Sequence, residues 1–137
     1  MKKGVLKACN ACGADVDGEA LVSRDPIHFL QDIDVHTGTV IGTGFHLRGG
    51  NIAGKILVVP GATGGTGSCV GLVLLANNKC GPKALLYKET DSIVVQGAIL
   101  AGIPVMHHFD KDPLKEIKSG DFLRVRPREH LVEVERK

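Results

Sequence analysis

The chain has 137 residues, of which 43% are hydrophobic and 23% are charged. A domain of this size buries a real core but is small for an enzyme with separate cofactor and substrate lobes, so we predict one domain over 1–137 and expect a partner subunit. The net charge of +2, with 4% aromatic residues, argues against a nucleic-acid partner. No apolar run reaches membrane-spanning length and no hydrophobic signal core follows Met1, so we expect a cytoplasmic protein without membrane contact.

Apolar runs separated by turn residues predict the elements in chain order. The predicted elements are strands 4–9, 19–24, 38–42 and 55–59, helix 68–78, strand 83–88, helix 91–101, strand 103–108, a short helix from Asp112-Pro113, and strands 121–126 and 130–135. Helices that cross between apolar strands imply parallel pairing in the middle of the sheet, with antiparallel strands at both ends. We therefore predict an α/β domain with a mixed, barrel-like sheet and crossover helices.

The most informative segment is the glycine loop, residues 60–71, which reads Pro-Gly-Ala-Thr-Gly-Gly-Thr-Gly-Ser-Cys-Val-Gly. It lies between a predicted strand and a predicted helix. Glycine allows a close approach to a ligand, and the N–H groups at a helix N-terminus attract oxyanions. We predict that Gly64, Gly65 and Gly67 contact substrate and that Thr66 and Ser68 supply hydroxyls. Ser68 is expected at the helix N-cap, where capping would compete with a role in catalysis.

Two nucleotide-binding interpretations of the glycine loop fail on spacing. A P-loop needs Gly-Lys-Ser/Thr, and no Lys or Arg lies between Pro60 and Asn78; the glycine spacing also does not form Gly-x-Gly-x-x-Gly. A purely structural connection between strand and helix remains the alternative.

The sequence offers no strong metal site. Cys9 and Cys12 have the spacing of half a zinc site, but Cys69 and Cys80 do not complete it. We expect ordinary thiols and no metal bound by this chain.

Several histidines and carboxylates are weaker candidates. His46 could face substrate, with a surface or core position as the alternative. His107 and His108 are expected to point to opposite faces of a strand and to form no joint site. His28 belongs to no motif. Asp32 and Asp34 could pair, but a turn role before Gly38 is favoured.

Six segments carry a resemblance to a known family. They are Gly18-Glu-Ala-Leu-Val-Ser23, Pro26-Ile-His-Phe-Leu30, Asp32-Ile-Asp34 with Thr37-Gly38, Asn51-Ile-Ala-Gly-Lys-Ile-Leu-Val-Val-Pro60, Gly81-Pro-Lys-Ala84 and Gly97-Ala-Ile-Leu-Ala-Gly-Ile-Pro104. In this order and spacing they resemble the swivelling-domain small subunit of aconitase X proteins, from about residue 17 to Val134.

The resemblance implies a swivelling β/β/α domain that closes over a separate large subunit. Together the two chains would form a hydro-lyase that dehydrates a small hydroxy acid, either a cis-3-hydroxy-L-proline-like acid or mevalonate 5-phosphate. The lack of Lys and Arg in the glycine loop favours the non-phosphorylated acid slightly. This chain would be inactive alone, and an iron or iron–sulfur centre would belong to the partner. The glycine loop would supply a hydroxyl base, Ser68 or, as runner-up, Thr66.

The glycine loop departs from the common archaeal form of the family. An ungapped match places the family's basic residue at Thr63, its first serine at Gly65 and its last serine at Cys69. Either Ser68 after a local shift, or Thr66, would then act as the base, or the chemistry of this chain would differ from that of the family. The alternative is a non-catalytic binding or structural module that kept the swivel fold.

Overall fold

The computed structural model describes residues 2–136. Its elements are the strands β1 Lys2–Cys12, β2 Val16–Val22, β3 Ile56–Val59, β4 Ala84–Tyr87, β5 Val105–Phe109, β6 Phe122–Arg126 and β7 Leu131–Arg136, and the helices α1 Thr66–Asn77, α2 Ser92–Leu100 and α3 Pro113–Glu116. A 3-10 turn over Pro127–Glu129 joins β6 to β7.

The seven strands close into one barrel in the order β1-β5-β4-β3-β2-β6-β7. Strands β2, β3, β4 and β5 pair in parallel, and the remaining pairs are antiparallel. Helix α1 crosses from β3 to β4, and α2 crosses from β4 to β5. The predicted α/β fold, with a mixed barrel-like sheet, parallel pairing in the middle and crossover helices, is confirmed.

Strand β3 lies between two apolar layers, which explains its uninterrupted Ile-Leu-Val-Val sequence. Leu57 and Val59 pack in the cluster that includes residues of α1 and α2, whereas Ile56 and Val58 pack in the cluster inside the barrel. All four side chains are fully buried. The glycine loop therefore leaves from a rigid strand at the centre of the fold.

One predicted strand is missing from the structure, and one predicted helix begins two residues earlier. Residues 38–42 form no named strand, because Val40 donates its N–H to Gly50 and Thr39 accepts from Asp34, so these residues make isolated bridges rather than a ladder. Helix α1 begins at Thr66 rather than at residue 68. Its turn closes earlier because the carbonyl of Gly64 already accepts from Gly67, at 2.9 Å.

A partly buried ion pair joins Arg136 of β7 to Asp121, the residue before β6. Asp121 is 3% exposed and accepts from Arg136 Nε at 2.9 Å and from Arg136 Nη2 at 2.8 Å. The backbone N–H of Lys118 donates to the same carboxylate at 2.8 Å. The hydrogen bond from Arg136, assisted by that N–H and by nearby positive charge, lowers the pKa of Asp121 against the opposing effect of burial.

We expect Asp121→Asn to lower the free energy of unfolding by about 1–2 kcal/mol at pH 7, because the partly exposed Arg136 loses hydrogen bonds to a charged partner. A depressed folded pKa stabilises the fold above the unfolded carboxyl value of about 3.9, and this contribution is lost as the pH falls through the folded pKa. Urea unfolding at pH 7 and at pH 3 should therefore show a smaller gap between variant and wild type at the lower pH. Glu19→Gln, which removes the exposed pair with Lys55, is the control and should change stability by less than about 0.5 kcal/mol. A gap that stays constant with pH would contradict the assignment.

Candidate functional site

The glycine loop lies at the carboxyl edge of the parallel strands. It follows β3, while the turn after β2 begins at Ser23 and the turn after β4 begins at Lys88. Because β2, β3 and β4 are parallel, their carboxyl ends open at the same edge of the barrel. Ligands of parallel α/β sheets bind at this kind of edge. The fold thus places the loop at the edge where sheets of this kind bind ligands.

The loop conformation requires glycine at its turn into α1. Gly64 has a φ of 90°, and Gly65 has a φ of 47° and is the N-cap residue of α1. No side chain caps this helix, and no acidic residue lies in its first turn. The positive end of the helix is thus left without a side-chain acceptor, which suits an anionic ligand.

The two loop hydroxyls have different surroundings. The Ser68 side chain is fully buried; its Oγ accepts from Phe29 N–H at 2.9 Å and donates to the carbonyl of Thr63. Ser68 is the third residue of α1, so its expected N-cap position is wrong: Gly65, three residues earlier, is the N-cap. Thr66, the first residue of the helix, is exposed. The catalytic assignments of both residues stay predictions.

The segment Pro26–Leu30 lies against the loop and the start of α1. Ile27 forms a parallel bridge with Ala62, and Phe29 is the backbone donor to Ser68. At Gly71 the two segments almost touch, since an added β carbon would lie 2.5 Å from Phe29 O and 2.6 Å from Leu30 N. The Ser68 hydroxyl and the small size of Gly71 together fix this segment beside the loop.

His28 belongs to no sequence motif, but the structure places it beside the glycine loop. Ile27 and Phe29 point into the core, so the alternation of the segment turns His28 outward, toward the loop. A β carbon added at Gly64 would lie 2.6 Å from His28 Nε2, and one added at Gly67 would lie 2.8 Å from Cε1. The imidazole therefore fills the space over two glycines. The alternation of 27–29 predicts an outward His28, but nothing local predicts its neighbour.

His46 lies at the same edge on a more open surface. It is exposed, and its Nδ1 lies 3.4 Å from the backbone N of Arg24 and 3.6 Å from Asp25 Oδ2. These contacts tie the 44–48 segment to the turn after β2. Its predicted role toward substrate stays a prediction.

The two aspartates of the 32–34 segment serve turns, as favoured from the sequence. Asp32 Oδ2 accepts from His28 N–H at 2.8 Å, and Asp34 Oδ1 accepts from His36 N–H at 2.9 Å. They order the backbone that carries His28.

The expected separation of His107 and His108 is wrong. Their Nδ1 atoms lie 3.1 Å apart, because His108 has a φ of 58° and this left-handed residue interrupts the strand alternation. Burial and the neighbouring His108 lower the pKa of His107. Within residues 2–136 no three His, Cys, Asp or Glu side chains are grouped to hold a metal ion.

The close approach at Gly71 gives a stability prediction. Gly71→Ala should lower the free energy of unfolding by about 3 kcal/mol, since a backbone segment rather than a flexible side chain must move. Thermal and urea unfolding would measure the loss. Gly61→Ala is the matched control from the same loop, because its added β carbon meets nothing within 4 Å, and it should be neutral or slightly stabilising. Equal stability of Gly71→Ala and Gly61→Ala would contradict the close packing of Gly71 against the backbone of Phe29 and Leu30.

The closed mixed barrel, with a glycine loop at the carboxyl edge of its parallel strands, defines a swivelling-domain class of protein. The family model of the aconitase X swivel domain matches residues 5–134. The chain belongs to this family.

Relatives and a solved structure also support membership of this family. The chain is 42% identical over 131 residues to the phosphomevalonate dehydratase small subunit of Thermococcus onnurineus, covering 95% of this chain and 98% of that relative. The protein of the same name from Methanocella arvoryzae is 38% identical over 120 residues, covering 88% and 91%. The crystal structure of Thermococcus kodakaraensis aconitase X in its holo-form superposes with a TM-score of 0.90 at 35% identity, covering 97% of this chain and 99% of that chain.

Proposed function

We propose that this chain is the small subunit of a two-chain aconitase X-type dehydratase that removes water from a small hydroxy acid. The observation that carries the proposal is the glycine loop, which ends in a helix without a side-chain cap at the carboxyl edge of the parallel strands. Relatives covering nearly the whole chain bear the name phosphomevalonate dehydratase small subunit, and mevalonate 5-phosphate is therefore our first candidate substrate. A cis-3-hydroxy-L-proline-like acid is the second.

The reaction needs two proton movements. A base takes a proton from the carbon beside the substrate carboxylate, and the hydroxyl group leaves from the next carbon with a proton, so that a carbon–carbon double bond and one water form. A hydroxyl that loses its proton to become such a base must be stabilised as an oxyanion. The positive end of the α1 dipole supplies that stabilisation, while the N–H groups of Gly67 and Ser68 already donate to the carbonyl of Gly64.

We assign the base to Thr66 ahead of Ser68. The buried Ser68 hydroxyl already has a backbone donor and a backbone acceptor, so its release toward substrate would leave the Phe29 N–H without a partner. Thr66 is exposed at the first position of α1. The Thr66 hydroxyl can contact substrate while the hydrogen bonds of Ser68, which join the loop to the 26–30 segment, stay intact.

The large subunit completes the proposed site. The residues described here do not fit an iron or iron–sulfur centre, since Cys9 and Cys12 are exposed, Cys69 and Cys80 lie in other parts of the fold, and no metal-holding group occurs within residues 2–136. We therefore assign that centre to the partner. No helix in the described range is long and apolar enough to span a membrane. We propose a cytoplasmic location for the complex.

Co-expression with the gene for an aconitase X-type large subunit tests the assembly. We expect the two chains to co-purify in a fixed ratio through affinity and size-exclusion steps. A chain that never retains the large subunit would favour the alternative of a stand-alone binding module.

A further inference from the structure

The His28 imidazole is held in one orientation by its own turn. The backbone N–H groups of Leu30 and Gln31 point at His28 Nδ1, with N···N distances of 3.3 Å and 3.2 Å. Both are donors, so Nδ1 acts as the acceptor, and the neutral ring carries its proton on Nε2. The ring therefore presents a donor rather than a lone pair at its far end.

That far end lies over the glycine loop, on a half-buried side chain. Nε2 is the ring nitrogen close to Gly64 and Gly67. Within residues 2–136 it makes no protein hydrogen bond, and the buried side-chain atoms without a partner in that range are the hydroxyls of Tyr87 and Thr90. Nε2–H is thus unpaired but not fully enclosed, and it lies beside the glycine loop.

The two glycines are matched to this histidine. A side chain at either position would strike the ring, although only Gly64 has a positive φ that itself favours glycine. Gly67 lies in α1, where glycine is less favourable than alanine by about 1 kcal/mol. Glycine is nevertheless present at position 67 because the His28 imidazole occupies the space that a side chain would need.

We propose that His28 Nε2–H is a hydrogen-bond donor to an anionic group of the substrate, its carboxylate or phosphate, at the glycine loop. The loop has no Lys or Arg between Pro60 and Asn78, so an anion bound there needs donors from elsewhere. His28 would be a substrate-binding residue that sets specificity, and Thr66 would remain the base. This inference rests on the proposed function for the identity of the substrate. The orientation of the His28 ring does not depend on that function.

The test uses two substitutions that distinguish the role of His28 Nε2 from that of Nδ1. In the complex with the large subunit, His28→Asn keeps an acceptor near the Nδ1 position and removes the Nε2 donor, whereas His28→Gln restores a donor near the Nε2 position. We expect H28N to raise KM for mevalonate 5-phosphate about ten- to a hundredfold, the loss typical of one hydrogen bond to a charged group, with little change in kcat. H28Q should recover most of that loss. His36→Asn, in an exposed turn, is the control and should leave KM unchanged.

A second measurement keeps this test apart from that of the proposed function. In the wild-type complex with ¹⁵N-labelled histidine, NMR should show a protonated Nε2 on His28, and its signal should shift when mevalonate 5-phosphate is added. An active complex whose KM is the same in H28N and wild type would overturn the proposal while the dehydratase assignment stands. A complex that does not dehydrate the compound but shifts the Nε2 signal would support His28 as an anion donor while the proposed reaction fails. An unshifted signal at saturating compound, or an Nδ1-protonated ring, would overturn the inference about His28.

Discussion

Replacing Thr66 with valine is expected to lower kcat of the reconstituted dehydratase by about a hundredfold or more, because the hydroxyl proposed as base is lost. Valine keeps the β-branched shape, and the side chain is exposed at the first position of α1, so the fold should be preserved. Steady-state kinetics of the complex would measure kcat, and circular dichroism of the variant would check its fold. Thr66→Ser, which keeps a hydroxyl, should retain most of the rate.

Ser68→Ala is the matched comparison within the same helix turn. Its loss leaves the buried N–H of Phe29 without an acceptor, which costs about 1–3 kcal/mol of unfolding free energy. Turnover per folded complex should stay within a fewfold of wild type. If Ser68→Ala instead abolishes turnover with its stability intact while Thr66→Val is active, the proton is carried by Ser68.

The second large effect concerns the partner. The isolated chain should dehydrate no hydroxy acid at a measurable rate, and addition of the large subunit should restore activity by several orders of magnitude, because the loop supplies only one side of the proposed site. Titrating large subunit into a fixed amount of this chain should give a rate that saturates at a fixed ratio. Full activity of the purified single chain would contradict the proposal of a two-chain enzyme.

Much of the fold follows from local sequence signals. The apolar run before the glycine loop predicts a buried strand, and Asp112-Pro113 predicts the start of a short helix, whose N-cap Asp112 accepts from Leu114 N–H at 3.0 Å. The start of α1 was missed because it depends on the positive φ of Gly65 and on the early turn at Gly64. Glycine permits such conformations without specifying which one is adopted.

The site was less predictable because its contacts join distant segments. The pattern of 60–71 identifies the loop, but the partner of Ser68 is Phe29 and the ring over Gly64 is His28. Neither contact has a local signature, since both depend on how the 26–30 segment pairs beside β3. The same holds for the contact between His107 and His108, which a left-handed backbone at His108 creates against the expected alternation.

The most direct test of the central proposal is an assay of the purified two-chain complex with mevalonate 5-phosphate and with cis-3-hydroxy-L-proline in parallel, following loss of water by mass spectrometry. We predict that the complex converts mevalonate 5-phosphate to a product lighter by one water, and that omitting this chain abolishes the conversion. Conversion of cis-3-hydroxy-L-proline alone would replace the first candidate substrate by the second. A correctly assembled, metal-loaded complex that dehydrates neither compound would contradict the proposed function.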